Sequence, residues 1–305
     1  MTEKVIIMEQ LPGLRKNQNF ISLLFYGPAL VFAIVFFIYP VVSSFYYSLT
    51  NWNGLAQTIH FTGLANFQEL IRDDKFYGGI RNTLLYAFFV TVIQNIAAIA
   101  LAIVLNTSLK TKNILRTVFF APAILSALVV GYAWSFIYNP LFGVLNSLLT
   151  NIGLGGWVQD WLGDPRLALG SLIVVTVWQF TGYAMVIYLA GLQGIPEELY
   201  EAAAIDGTTP WKKFRHITFP LIAPAFTINV LLSVIGTMKI FDLIYVTTNG
   251  GPGYATETMT TLLYHQAFQT NRMGYGTAMA VVLFLIILVL SLFQLKTLRK
   301  REVVM

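Results

Sequence analysis

Pro196-Glu197-Glu198-Leu199-Tyr200-Glu201-Ala202-Ala203-Ala204-Ile205-Asp206-Gly207, then Thr208-Thr209-Pro210-Trp211-Lys212-Lys213-Phe214-Arg215-His216-Ile217-Thr218-Phe219-Pro220, is a polar, amphipathic stretch between two apolar runs. The runs cover 168–190 and 219–241, and their only Asp, Glu, Lys or Arg is Lys239. A chain that moves from hydrocarbon to a charged segment and back reads as two membrane helices joined outside the bilayer. The rest of the sequence has the same character. Of 305 residues, 56% are hydrophobic and 11% charged, against roughly 25% charged in an ordinary soluble domain. Crossing about 30 Å of hydrocarbon takes about 20 apolar helical residues. Six runs qualify, at 22–44, 83–105, 117–138, 168–190, 219–241 and 275–297.

Orientation follows from the positive charges, which favour cytoplasmic loops. With the N-terminus inside, Lys4, Arg15, Lys16, Lys110, Lys112, Arg116, Lys212, Lys213, Arg215, Lys296, Arg299, Lys300 and Arg301 are cytoplasmic. Those 13 stand against five outside, Arg72, Lys75, Arg81, Arg166 and Arg272, so both termini are expected in the cytoplasm. The net charge of +5 is then topology and not a nucleic-acid footprint. The first run is longer than the ~7–15-residue apolar core of a secretory signal and lacks a small-residue cleavage site, so it reads as a retained helix. The fold class is therefore all-α, a polytopic membrane protein of six transmembrane helices. A cytoplasmic tail is expected at 1–19, a transmembrane domain at 20–298 with its polar cytoplasmic loop at 195–218, and a second tail at 299–305.

The chain has no cysteine, and His60, His216 and His265 are scattered, so neither thiolate nor histidine metal sites are expected. Pro28, Pro40, Pro122, Pro220 and Pro224 fall in or at the ends of spans. Each removes a backbone donor and marks either a packing irregularity or a hinge.

The polar loop divides into two helices. Pro196 sits where a first turn accepts proline, and Glu197 and Glu198 complement the positive helix end. The alanines leave a flat surface that another protein can approach. Asp206-Gly207 is a stop signal, and Thr209-Pro210 restarts a helix as cap and first position. On composition alone, the loop fits an amphipathic helix lying on lipid equally well.

The residues of the loop resemble the EAA loop of permease subunits in binding-protein-dependent ABC importers. That pattern is Glu-Ala-Ala, three residues, Gly, nine residues, then Ile-x-Leu-Pro, matched here by Glu201, Ala202, Ala203, Gly207, Ile217 and Pro220. The one departure is Phe219 where leucine is usual. Asn51-Trp52-Asn53-Gly54 with Phe61–Phe67, Asn139–Asn146, and Phe241–Tyr245 through Thr248–Pro252 look like segments of the carbohydrate-uptake branch. The whole is similar to the maltose-type F-side permease, from about Phe20 to Arg301. The resemblance implies that Glu201 contacts a cytoplasmic ATPase, that Gly207 sets the elbow, and that ATP-driven closure pushes on the fourth and fifth spans. It also implies a second permease subunit, in a heterodimer, two ATPase subunits using ATP and Mg, and an extracytoplasmic solute-binding protein. The expected location is a bacterial or archaeal cytoplasmic membrane, with no cofactor or metal bound by this chain.

Sugars are bound by hydroxyl hydrogen bonds and aromatic stacking, so polar stripes inside spans are the candidate path. At 100° per residue, Thr176, Gln179 and Tyr183 fall within about 60° of one face, and Asn229, Ser233 and Thr237 form a similar stripe. The resemblance places sugar contacts near Gln179, Tyr183, Ser233 and Thr237. The alternative is hydrogen bonding between helices, and Gln94 and Asn95 fit either role. Lys239 and Asp242 are costly near a bilayer. Their i, i+3 spacing favours a mutual ion pair at the outer boundary, pointing away from the polar stripe, with a gate or a substrate contact as the alternative.

Two rival functions are weaker. A self-contained secondary transporter needs a proton relay, for which Lys239 and Asp242 are thin material. A membrane enzyme needs a catalytic cluster, and no nucleophile motif or Gly-x-x-x-x-Gly-Lys-Ser/Thr run is present. ATP hydrolysis is therefore left to a partner. Because Arg is absent from all six spans, an oligosaccharide is favoured over a glycerophosphate-type solute, and a polyol stays open.

Overall fold

The computed structural model describes residues 25–300. The tail at 1–19 with Lys4, Arg15 and Lys16, the start of the first run, and residues 301–305 of the last tail with Arg301 lie outside the described residues. Helix α1 covers Phe25–Tyr47. After α2 (Ala65–Leu70) comes α3 (Asp74–Leu105), the longest helix at 32 residues. Then follow α4 (Lys112–Ile124), α5 (Ala127–Ile137) and α6 (Val144–Asn151). Next are α7 (Ala168–Gln193), α8 (Glu197–Ile205) and α9 (Pro210–Leu221). The chain closes with α10 (Ala223–Met238), α11 (Asp242–Thr247), α12 (Met259–Tyr264) and α13 (Met273–Arg299). Among the described residues the only β pairing is an isolated antiparallel bridge between Thr50 and Phe61.

Among the described residues four helices, α1, α3, α7 and α13, are long and apolar enough to cross a membrane unbroken. The third and fifth expected spans are broken: α4 and α5 meet at 99°, and α9 and α10 at 70°. The first break follows from Pro122, which gives no N–H to the preceding turn. Leu125 and Ser126 turn extended, and the Ser126 hydroxyl accepts from Val129 N at 3.4 Å to cap the new helix. In the second, Pro220 disturbs the ladder and Ile222 leaves helical geometry. The turn before Pro220, Phe214–Thr218, widens to a π turn, as does Ile34–Ile38 before Pro40. A wider turn moves the preceding carbonyls away from the proline ring, which relieves the clash that proline otherwise makes.

Helix α7 is the hub, packed on α3, α4 and α10, while α13 joins α10 to α1. At the loop end, Ala98, Ala102, Leu105, Met185, Tyr188, Leu192 and Ile222 form one buried cluster. At the opposite end, Leu70, Phe76, Met259, Leu262, Tyr275 and Met279 form another. That end is also clamped by polar contacts. Arg272 Nη2 lies 2.6 Å from Glu69 Oε2, and Tyr275 Oη donates to Asp73 Oδ2 at 2.6 Å. The outward face is apolar throughout: Phe36, Phe88, Val104, Ile114, Leu128 and Phe293 are all exposed. Water would penalise such a surface, whereas lipid tails solvate it.

Candidate functional site

The loop end adopts the helix–turn–helix that its residues predict. Helix α8 begins after Pro196, which takes the cap position and not the first turn. Glu197 and Glu198 occupy that first turn. The helix closes in a Schellman motif: Gly207 N donates to Ala204 O and Thr208 N to Ala203 O, both at 3.1 Å. Gly207 has φ +65°, a conformation that glycine adopts without penalty. Thr209 Oγ1 then accepts from Lys212 N at 3.4 Å, opening α9 with Pro210 in its first turn.

Ala203 is buried, which fixes how α8 lies on the bundle, while Glu201 and Ala202 face outward. Ile205 (88% exposed) and Trp211 (66%) stand on either side of the elbow. The loop is also tied to the span behind it. Tyr200 Oη and Thr218 Oγ1 are 3.1 Å apart, and Lys213 Nζ sits 5.9 Å from the centre of the Tyr200 ring. Ile217 is half-buried and Pro220 opens the bend into α10. One hydrogen bond and the short helix α9 thus connect α8 to α10.

The polar stripes of the fourth and fifth spans face one cavity of about 390 Å³ between α3, α7, α10 and α11. Gln179, Tyr183, Asn229, Ser233, Thr237, Lys239 and Asp242 all line it, with Gln94 and Thr176. Several of these groups also bind helix to helix. Gln179 Nε2 donates to Leu125 O at 3.0 Å, Asn229 Nδ2 to Ala184 O at 3.1 Å, and Gln94 Nε2 to Phe180 O at 3.3 Å. Tyr188 Oη donates to Asn95 Oδ1 at 2.5 Å, and Asn95 Nδ2 reaches Ser233 Oγ at 3.4 Å, joining three helices. Tyr183, 45% exposed, makes no side-chain hydrogen bond among the described residues and presents its ring to the open space.

The expected Lys239–Asp242 ion pair does not form. Helix α10 ends at Met238, Lys239 is its cap residue, and Asp242 opens a separate helix, so helical i, i+3 geometry does not apply. Nor do the two residues point away from the polar stripe: both are exposed on the wall of the same cavity. Phe180 and Phe241 complete that wall, and they escaped the sequence reading because one more aromatic in an apolar span carries no signal of its own.

A second concavity, about 960 Å³, lies beside the loop between α3, α9 and α10. Ile96, Ile99, Ile103, Trp211, Phe219 and Phe226 line it, and an apolar wall suits a lipid chain or a neighbouring helix better than a polyhydroxylated solute. Among the described residues no three His, Asp or Glu side chains come together as a metal site.

The comparisons with known proteins agree with this fold. A family model described as "Binding-protein-dependent transport system inner membrane component" matches residues 94–301. The chain belongs to this family. It is 38% identical to the probable starch degradation products transport system permease protein AmyD of Thermoanaerobacterium thermosulfurigenes, over 92% of this chain and 95% of that one. It is 36% identical to the arabinooligosaccharides transport system permease protein AraP of Bacillus subtilis, over 90% of this chain and 87% of the relative. The fold matches a subunit of a bacterial ABC transporter involved in the import of the acidic polysaccharide alginate. The TM-score is 0.81 at 23% identity, covering 94% of this chain and 98% of that one. The protein is thus a multi-pass, all-helical transmembrane subunit of an ABC importer.

Proposed function

We propose that this subunit forms half of the translocation path for an uncharged oligosaccharide, delivered by an extracytoplasmic binding protein and driven by a separate ATPase. The observation that carries this is the cavity itself. Two stripes from α7 and α10, joined by Lys239 and Asp242, line one space with amide, hydroxyl and aromatic groups and no arginine. Hydroxyls of a sugar both donate and accept, which Gln179, Asn229, Ser233 and Thr237 match, and the rings of Tyr183 and Phe241 suit its apolar faces. Relatives named for starch products and arabinooligosaccharides support the same class of solute.

The cavity is open on this chain, and a second permease subunit would complete it. Glu201, Ala202, Ala203 and Gly207 carry the ATPase contact, with Ile217 and Pro220 passing the push into α10. This chain performs no hydrolysis and binds no cofactor; ATP and Mg belong to the partner ATPases. Both termini lie in the cytoplasm, on the side to which the lysines and arginines point.

Proteoliposomes holding both permease subunits and the ATPase, with binding protein outside, test the solute. Gluco- and arabino-oligosaccharides, a polyol and glycerol 3-phosphate are offered in turn. Uptake of an oligosaccharide that requires ATP supports the reading. Uptake of glycerol 3-phosphate alone overturns the oligosaccharide assignment and leaves the importer standing.

A further inference from the structure

Three aromatic rings at the edge of the cavity pack against one another and a fourth extends the cluster outward; beyond Phe241, neither the polar stripes nor the loop uses them. Phe241 forms part of the cavity wall. Its ring stacks on that of Tyr245, one turn along α11, with centroids 5.1 Å apart and planes at 19°. Tyr264, at the end of α12, lies 5.2 Å from each of them. Phe268 follows at 5.3 Å from Tyr264 and is 59% exposed.

These rings are not core residues. None belongs to the three buried clusters of the bundle, and Phe241, Tyr245 and Tyr264 are only half-buried. Hydrogen-bonding groups accompany them. His265 Nε2 and Asn249 Oδ1 are 3.0 Å apart beside Tyr264, and Asp242 lies exposed next to Phe241. Rings bordered by the Asn249 amide and the Asp242 carboxylate form the kind of surface on which a sugar packs its C–H face while its hydroxyls find partners.

We propose that Phe268, Tyr264, Tyr245 and Phe241 form an entrance subsite that holds successive rings of an oligosaccharide between its delivery and the cavity. The proposal rests on the oligosaccharide reading above. A cluster that reaches from the cavity wall out to Phe268 acts on chain length: a disaccharide already seated in the cavity leaves it empty, whereas a longer solute still lies against it. A belt of aromatics anchoring the helix ends at the lipid–water boundary would have no such dependence.

The test uses the full reconstituted complex with Phe268→Ala, Tyr264→Leu and Tyr264→Phe. Phe268 is exposed and Leu keeps most of the bulk of Tyr264, so neither change threatens folding. Uptake is measured for α-linked glucose and arabinose di-, tri- and tetrasaccharides, as the concentration of loaded binding protein at half-maximal rate. For tetrasaccharide, Phe268→Ala and Tyr264→Leu raise that concentration about threefold to tenfold, the worth of one aromatic contact. For disaccharide the change stays below about twofold, and Tyr264→Phe, which keeps the ring, behaves as unsubstituted. Equal effects at every length, or none, overturn the subsite while uptake itself persists. If the unsubstituted complex carries no sugar of either series, the oligosaccharide reading fails and the subsite with it.

Discussion

Gln179 donates from Nε2 to the carbonyl oxygen of Leu125, 3.0 Å away, at the point where the third span breaks. The break frees carbonyls that a continuous helix would have used, and in hydrocarbon they have no water to turn to. One side chain of the cavity wall thus also closes a gap in the backbone of its neighbour. The expected outcome for Gln179→Leu is a loss of about 1–3 kcal/mol, the usual result of leaving a buried acceptor unpaired. Gln179→Glu, which when ionised has no proton to give, behaves likewise. Thermal unfolding of the purified complex in detergent measures both.

Tyr183 stands on the same helix one turn on and predicts the opposite pattern. With no hydrogen bond among the described residues and 45% of its surface open, it carries little of the fold. Tyr183→Ala leaves stability within about 0.5 kcal/mol, as surface changes do, and weakens transport. Uptake kinetics set beside the unfolding curve separate the two residues.

Gly207 tests the elbow by backbone conformation alone. A Cβ built there meets nothing within 4 Å, so the penalty for a side chain is the φ of +65° and not a clash. Asparagine visits this region readily, whereas a β-branched residue does so at a cost of roughly 1–2 kcal/mol. Gly207→Asn therefore retains most of the stimulated ATPase activity and Gly207→Val loses most of it. The ATPase rate of assembled complexes reports the order.

Much of this was legible in the sequence. Pro196, Asp206-Gly207 and Thr209-Pro210 predict the helix–turn–helix, because caps and prolines act locally. The stripes on α7 and α10 could be read as faces because helical periodicity is local too. Three things were hidden. The 99° break after Pro122 depends on Ser126 capping a new helix and on Gln179, from a distant segment, donating to the Leu125 carbonyl that the break leaves free. The end of α10 at Met238 parts Lys239 from Asp242, and the one glycine nearby, Gly236, stays inside the helix and does not mark the break. The cluster of rings joins α11 to α12 across a loop, which periodicity cannot register.

Glu257 gives a prediction in pH. It is buried in the segment between α11 and α12, and burial pushes its carboxyl above the ordinary value of 4.5, with the nearby His265 opposing the shift. His265 Nδ1 lies 3.1 Å from Glu257 Oε1. A carboxyl with a raised pKa binds more protons folded than unfolded, so its contribution to stability falls as pH rises from the unfolded value through the folded one. Glu257→Gln removes that dependence. The melting-temperature difference between Glu257→Gln and unsubstituted protein grows in favour of the variant as pH rises above about 4.5, and a thermal series against pH reads it.

The central claim is that the loop passes ATP hydrolysis into the spans, and Glu201→Ala tests it most directly. Glu201 is exposed and makes no hydrogen bond or ion pair among the described residues, so its removal leaves this fold intact. The measurement is ATP hydrolysis and sugar uptake by proteoliposomes of the full complex, unsubstituted and with Glu201→Ala, with and without sugar-loaded binding protein. The account predicts that loaded binding protein stimulates hydrolysis in the unsubstituted complex, and that Glu201→Ala loses both the stimulation and the uptake. Uptake that persists in liposomes lacking the ATPase, or full stimulation in Glu201→Ala, would contradict it.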